Sequence, residues 1–85
     1  MAELARRFAA RAGEERLALD QARAAGDRQT VIERAHKLAG ISAMFGHPAI
    51  GEAALALEEA AETGAEMNAP AGQLDALLGA VAAKD

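Results

Sequence analysis

Residues 27–45 read DRQTVIERAHKLAGISAMF, a stretch in which apolar and small residues recur at helical spacing. They follow one another at alternating intervals of four and three residues: Val31, Ala35, Leu38, Ser42 and Phe45. Side chains spaced in this way lie on one face of an α-helix. Asp27 is a favourable N-cap and Gly46 a favourable stop, so the pattern predicts an amphipathic helix over this range.

The same periodicity continues toward the N-terminus. Residues 2–25 form a long amphipathic stretch with the apolar stripe Leu4, Phe8, Leu19 and Ala22. Gly13 interrupts this stretch and Glu15 falls on the stripe, so the pattern allows a kink or break near residues 13–15. The sequence leaves open whether the stretch is one helix or two.

Two more helices are predicted after residue 45. Pro48 suits the first turn of a third helix over about residues 48–62. The apolar face of this helix is Ile50, Ala54, Leu57 and Ala61. Its other face holds acids that we expect to be mostly solvated, namely Glu52, Glu58, Glu59 and Glu62. Residues 63–69 are predicted to be a loop, and Pro70 to start a final helix. The core stripe of that helix is Leu74, Leu77, Leu78 and Val81.

The composition agrees with a helical protein. Alanine is the most frequent residue and only two residues are aromatic, which suits closely packed helices and poorly suits a β-sheet. Short connections favour antiparallel neighbours. We therefore predict an all-α fold, an antiparallel up-down-up-down four-helix bundle, formed by residues 1–85 as a single domain.

Composition and charge exclude several classes of function. The chain has 85 residues and no Cys, which argues against disulfides and fits a reducing cytoplasm, where we expect the protein. It lacks the apolar run of a signal peptide or a membrane span. It is short for an enzyme with its own substrate cleft. The basic residues of the first half alternate with acids and lack aromatic neighbours, so no nucleic-acid partner is expected.

His36 is the strongest candidate for chemistry. On a helical wheel it lies roughly 140° from Val31, off the apolar stripe, and the later residues on its side, Gly40 and Ala43, project almost nothing. A glycine inside a helix costs about 1 kcal/mol relative to alanine. Gly40 either clears the way for an incoming partner or admits a neighbouring helix, and the wheel does not decide between these two explanations.

The charges near His36 and the second histidine give further expectations. The basic residues close to His36 in sequence are Arg28, Arg34 and Lys37. A cationic surround would stabilise a phosphoryl group on the imidazole, although a solvated basic helix face is the simpler interpretation.

His47 is expected to be a polar loop residue or a cap. No metal site is predicted, because neither Cys nor a carboxylate cluster accompanies the two histidines.

The stretch AHKLAGISAMFG, residues 35–46, resembles the phosphoacceptor segment of histidine-containing phosphotransfer (HPt) domains. The shared pattern is an Ala-His pair, an apolar residue two positions after the His, Gly four positions after it, small residues, and a Gly that closes the helix. Gly26-Asp27 before the His and the Leu57-Glu58 pair after it also fit the spacing of the family. Agreement over roughly thirty residues is far more specific than the short motif alone.

The resemblance implies a phosphocarrier and not an enzyme. His36 would accept and donate a phosphoryl group, exchanging it with the aspartate of a response-regulator receiver domain that also brings Mg²⁺. No cofactor is expected on this chain. The implied partners are a receiver domain, a hybrid histidine kinase, or both. The expected contact surface includes part of the first helix and these residues around His36: Ile32, Arg34, Lys37, Gly40 and Ala43.

One position departs from the family pattern, and alternatives stay open. Ala39 stands where the family usually has Lys, so the phosphoryl group is held more weakly, Lys37 reaches round to it, or the domain binds a partner without accepting phosphate. The main alternative function is therefore a non-phosphorylated helical adaptor for a receiver or kinase. The dimerisation element of a histidine kinase fits less well, because Lys37 stands where an acid is expected. We expect a monomer, whereas a self-associating bundle would form dimers.

Overall fold

The computed structural model describes residues 2–83, except for the side chains of residues 2, 4, 5 and 83. The described backbone forms four helices: α1 (Ala2–Ala24), α2 (Arg28–Met44), α3 (Pro48–Thr63) and α4 (Asn68–Ala83). The prediction of an all-α fold with four helices is confirmed. The side chain of Leu4, expected on the apolar stripe of the first helix, lies outside the described residues.

Helix α1 is one continuous helix, so the break allowed near residues 13–15 does not occur. A Cβ atom placed on Gly13 would meet no described atom of a side chain or of another helix within 4 Å, so no neighbouring helix depends on this glycine. Glu15 is buried, and its carboxylate accepts hydrogen bonds from Arg11 and Arg34. A charged residue is therefore tolerated on the apolar stripe because its charge is paired.

Helix α2 has a side-chain cap at its start. The carboxylate of Asp27 accepts hydrogen bonds from the backbone N–H of Thr30 at 3.2 Å and from the hydroxyl of Thr30 at 2.6 Å. The side-chain bond from Thr30, followed by the backbone bond, holds the pKa of Asp27 below its ordinary value. At the other end Gly46 adopts a positive φ of 77°, which closes the helix.

Helix α4 begins two residues earlier than expected. The prediction of a loop over residues 63–69 and a start at Pro70 is wrong, because α3 continues to Thr63 and α4 starts at Asn68. Pro70 is the third residue of the helix. Proline is accepted there because the first N–H groups of a helix have no partner within the helix. Gly64, with a φ of 77°, ends α3.

The helices pack in a closed ring. Helix α2 packs against α1 and α3, and α4 packs against α3 and α1, while the backbones of the diagonal pairs stay farther apart within the described chain. Phe8, near the start of α1, packs against Phe45, just after the end of α2, with ring centroids 5.2 Å apart and ring planes inclined by 32°. Arg28, at the start of α2, reaches the last turn of α3. These contacts bring the start of α1 to the end of α2 and the start of α2 to the end of α3, which is the arrangement of antiparallel neighbours.

The core lies on the axis of the ring and draws side chains from all four helices. Its largest fully buried apolar members are Phe8, Leu38, Leu57, Leu74, Leu78 and Val31. Ser42 is buried among them, and its hydroxyl donates a 2.7 Å hydrogen bond to the carbonyl of Leu38, which satisfies the polar group. Helix α2 therefore presents one face to the core and the opposite face to solvent, and His36 belongs to the exposed part.

Candidate functional site

The imidazole of His36 stands on the outside of the bundle. Its side chain is 73% exposed, in the middle of a helix whose core face is fixed by Val31, Ala35 and Leu38. The prediction that His36 points away from the apolar stripe is confirmed. Because the helix is anchored along its whole length, the ring is exposed on a rigid support rather than on a loop.

One side of the imidazole rests against α3. Nδ1 of His36 lies 3.1 Å from Oε2 of Glu58, within hydrogen-bonding distance. The Glu58 side chain is only 14% exposed, because it points toward α2. The expectation that Glu58 belongs to a solvated acidic face is therefore wrong, whereas Glu52, Glu59 and Glu62 are exposed as expected.

This contact selects one tautomer of the neutral ring. An ionised carboxylate only accepts hydrogen bonds, so Nδ1 must carry the proton that is donated to Glu58. The lone pair of a neutral imidazole is then on Nε2. Nε2 is the nitrogen that does not face Glu58. Glu58 thus orients the ring and leaves the lone pair on the nitrogen that does not contact it.

The arginines of α2 do not surround His36 as the sequence suggested. Nη1 of Arg34 donates to both carboxylate oxygens of Glu15, at 3.3 Å each. Two positions along a helix correspond to about 200° of rotation, so Arg34 lies on the far side of α2 from His36. Arg28 donates to the carbonyls of Ala60 and Ala61 at the end of α3, where a cation is favourable. The predicted cationic surround is therefore wrong for both arginines.

Lys37 is the basic residue that remains beside His36. It is exposed and lies on the outer face of α2. Among the described residues it makes no ion pair. Its ammonium group therefore stays available to an anion near the imidazole, with the reach that its long side chain gives.

The residues that follow His36 along its side of α2 leave open space. Gly40 and Ala43 are exposed, and a Cβ atom built on Gly40 would meet no described atom of another helix or side chain within 4 Å. The explanation that Gly40 admits a neighbouring helix is therefore wrong. Gly51 of α3 does lie close to α2, with its Cβ position 3.6 Å from the carbonyl oxygen of Ala39, an ordinary van der Waals distance.

The remaining predicted site residues lie toward α3. Ile32 is half-buried and packs against the core. Ala39, at the position where a Lys was expected from the resemblance, is also half-buried and lies at the close approach of α2 to α3. The predicted contact surface therefore falls on different sides of α2. Arg34 faces α1. The other four residues lie on the outer side of α2 or on its α3 side, namely Ile32, Lys37, Gly40 and Ala43.

His47 is not part of this site. It occupies the N-cap position of α3 without a side-chain capping bond. Its ring instead stacks on Phe8, with centroids 4.6 Å apart and planes inclined by 8°. Within the part of the chain that the structure describes, no three His, Cys, Asp or Glu side chains are grouped to hold a metal ion.

The fold and the histidine together define a helical bundle that carries an exposed imidazole in the middle of its second helix. The chain matches the family model described as the Hpt domain over residues 3–84, and it therefore belongs to the Hpt domain family. Hpt domains carry phosphoryl groups in phosphorelays and interact with receiver domains and kinases. No curated protein and no solved structure matches the chain. Across residues 2–83, no helix combines the length and apolar character that crossing a membrane requires.

Proposed function

We propose that the chain is a histidine phosphotransfer protein in which Nε2 of His36 exchanges a phosphoryl group with the aspartate of a receiver domain. The observation that carries this proposal is the exposed imidazole whose Nδ1 is held by Glu58. An exposed ring with a defined tautomer is what an acceptor needs if the partner supplies the rest of the active site.

The transfer step requires little from this chain. The lone pair on Nε2 attacks phosphorus, the N–P bond forms, and the P–O bond to the aspartate breaks so that the carboxylate leaves with the bonding pair. The proton on Nδ1 stays in place, so the product is a phosphorylated imidazolium. Its positive charge develops next to the Glu58 carboxylate, which favours the charged state. In the return step, the ring is the leaving group when the next aspartate attacks.

The other requirements are met by the partner. The receiver provides Mg²⁺ and the groups that neutralise the equatorial oxygens of the phosphoryl group. No ATP site is needed on this chain, which functions as a carrier. Lys37, which is exposed on α2, would assist with charge at the imidazole. We further propose that the chain acts as a monomer in the cytoplasm, together with a receiver domain, a hybrid histidine kinase, or both.

The experiment uses the two histidines as a matched pair. A receiver domain is phosphorylated on its aspartate with labelled acetyl phosphate and Mg²⁺, freed from excess donor, and mixed with the chain. We expect a label on the chain that is lost in acid and stable in base. His36→Gln should abolish the label, and His47→Gln should retain it. A label that persists in His36→Gln would contradict the proposal.

The alternative adaptor function predicts a different result in the same assay. A non-phosphorylated adaptor would bind the receiver or kinase with unchanged affinity after His36→Ala. It would also take no label from any phosphorylated receiver. Measuring binding and labelling on the same samples therefore separates the two functions.

A further inference from the structure

One charged residue adjoins His36 on the surface of its own helix, and it is an acid. The surface neighbours of a helical side chain are the residues three and four positions away. For His36 these positions hold Ile32, Glu33, Ala39 and Gly40, of which only Glu33 is charged. Glu33 is exposed and lies one turn before the imidazole. A phosphoryl group on Nε2 therefore has a carboxylate as its charged neighbour on this surface of α2.

The charge of Glu33 is not neutralised within the described chain. Its Oε2 accepts a 3.3 Å hydrogen bond from Nε2 of Gln29, which is a neutral amide. Lys37 stands four residues after Glu33, a spacing at which Glu and Lys can pair. No ion pair joins these two side chains among the described residues. The carboxylate therefore keeps its negative charge one turn from the imidazole.

The nearby cations do not outweigh this acid. Arg34 donates to a carboxylate of α1, and Arg28 donates to carbonyls at the end of α3. Ala39 supplies no charge at the position where the family resemblance predicts a Lys. Lys37 follows His36 directly, and consecutive helical side chains point about 100° apart. One acid and one cation of α2 thus lie near the phosphoryl group, and their effects on it oppose each other.

Phosphorylation makes the imidazole more negative. The phosphoryl group brings about two negative charges at neutral pH, while the ring that keeps its Nδ1 proton gains one positive charge. Glu58 contacts Nδ1 on the opposite side of the ring and offsets only that positive charge. Side chains one turn apart have Cβ atoms about 5–6 Å from each other. A carboxylate roughly 8 Å from one net negative charge in water shifts an equilibrium about twofold.

We infer that Glu33 biases the exchange of the phosphoryl group toward the receiver, so that the chain passes the group on and does not store it. In this direction the N–P bond breaks, the receiver aspartate forms the new P–O bond, and the ring leaves as neutral imidazole with its proton on Nδ1. The receiver neutralises the transferred charge with Mg²⁺. This inference rests on the proposed function, because it concerns the equilibrium of the same transfer.

The test measures the equilibrium constant K, the ratio of phosphorylated to free chain divided by the same ratio for the receiver. Equilibrium is approached from a receiver labelled on its aspartate and from the chain labelled by phosphoramidate, a small phosphodonor. K compares the separated proteins, so a residue that acts only in docking changes the rate of transfer and leaves K unaltered. For the unsubstituted chain we expect K below one.

A graded series at position 33 isolates the charge. Glu33→Gln removes it and should raise K about twofold at about 10 mM salt, and Glu33→Lys reverses it and should raise K about fourfold. In about 1 M salt, where the Debye length is about 3 Å, both variants should approach the K of the unsubstituted chain. Circular dichroism of each variant establishes that the helices are retained.

Asp20 provides the matched control. It is an exposed acid of α1 on the side that adjoins Asp75 of α4, the helix diagonal to α2. Asp20→Asn and Asp20→Lys change the net charge of the chain by the same amounts as the Glu33 variants. Both should leave K unchanged.

The outcomes separate the inference from the proposed function. If neither Glu33 variant changes K, or if K exceeds one for the unsubstituted chain, the inference is wrong and the proposed function stands. Equal shifts of K in the Glu33 and Asp20 variants would assign the effect to the net charge of the chain and would also overturn the inference. If the unsubstituted chain takes label from neither donor, the proposed function fails and the inference fails with it.

Discussion

The carboxylate of Glu58 on α3 and the imidazole of His36 on α2 are joined across 22 residues of sequence by a 3.1 Å contact between Oε2 and Nδ1. The histidine is exposed and the glutamate is mostly buried. The buried partner therefore determines the orientation of the exposed one. This relationship leaves Nε2 as the ring nitrogen that is not in contact with Glu58.

Replacing Glu58 by Gln tests the role of its charge. The amide keeps nearly the same shape but cannot offset the positive charge that develops on the phosphorylated ring. We expect transfer from a phosphorylated receiver to slow by about tenfold to a hundredfold, a usual range for the loss of one group that stabilises developing charge. Nitrogen NMR of His36 should also change from a dominant Nδ1–H tautomer toward a mixture. A Glu59→Gln control, on the exposed face of α3, should alter neither measurement.

Replacing Gly40 by Ala tests whether the partner needs the open space that the missing side chain leaves at this position. Because the Cβ position is open, the substitution should raise the free energy of unfolding by about 0.5–1 kcal/mol in urea denaturation. Transfer from a receiver should nevertheless slow, while labelling by phosphoramidate stays the same. A variant that is more stable and equally fast with the receiver would show that Gly40 has no role in docking.

Replacing Arg34 by Ala tests its assignment to the contact between α1 and α2. Glu15 is buried and would keep only Arg11, so we expect a loss of about 1–2 kcal/mol in the free energy of unfolding. This is less than the roughly 3–5 kcal/mol typical of a fully buried pair, because the Arg34 side chain is 44% exposed. Labelling of His36 by phosphoramidate should be unchanged. A stable variant with defective labelling would instead place Arg34 in the phosphoryl site.

Acid should weaken the contact between α1 and α4. Arg16 donates two hydrogen bonds to Asp75, at 2.7 and 3.1 Å, and this holds the pKa of Asp75 below its ordinary value. A lowered native pKa gives stability that is present above the unfolded value of about 3.9 and is lost as the pH falls through the native value. The free energy of unfolding should therefore decline below about pH 4. Asp27, whose pKa is also lowered, contributes in the same direction.

Two variants isolate the Asp75 contribution to this acid dependence. Asp75→Asn should make the decline shallower. Gly79→Ala should have a similar effect, because its Cβ would lie 2.8 Å from Nη1 of Arg16 and displace the guanidinium. The pair is exposed, so 1 M salt should also reduce its contribution. An unchanged pH profile in both variants would rule out this ion pair as a source of acid sensitivity.

Much of the fold could be predicted from the sequence because helix boundaries here coincide with local signals. Asp27 caps α2, and the glycines at positions 46 and 64 close α2 and α3 with positive φ angles. The start of α4 was misplaced because proline is accepted anywhere in a first turn, so Pro70 alone does not fix which residue comes first. The pairing of the buried Glu15 with Arg34 is a tertiary contact, which local periodicity does not contain.

The candidate site could be predicted only in part, because some of its contacts join different helices and local sequence patterns do not contain them. The exposure of His36 follows from its own helix, since the apolar stripe of α2 fixes which side faces solvent. The contact with Glu58 depends on how α3 is rotated against α2, and an amphipathic pattern does not distinguish an acid at the edge of a helix contact from one in solvent. The Leu57-Glu58 pair in the family resemblance was the signal that pointed to this position. The direction of Arg34 likewise required knowing where α1 lies.

The most direct test of the central claim is the location of the phosphorus–nitrogen bond. The chain is labelled with ¹⁵N in its histidines, phosphorylated by a receiver domain or by phosphoramidate, and examined for coupling between ³¹P and the ring nitrogens. We predict coupling to Nε2 of His36, with the proton retained on Nδ1 beside Glu58. Coupling to Nδ1 of His36, or to His47 alone, would contradict the account.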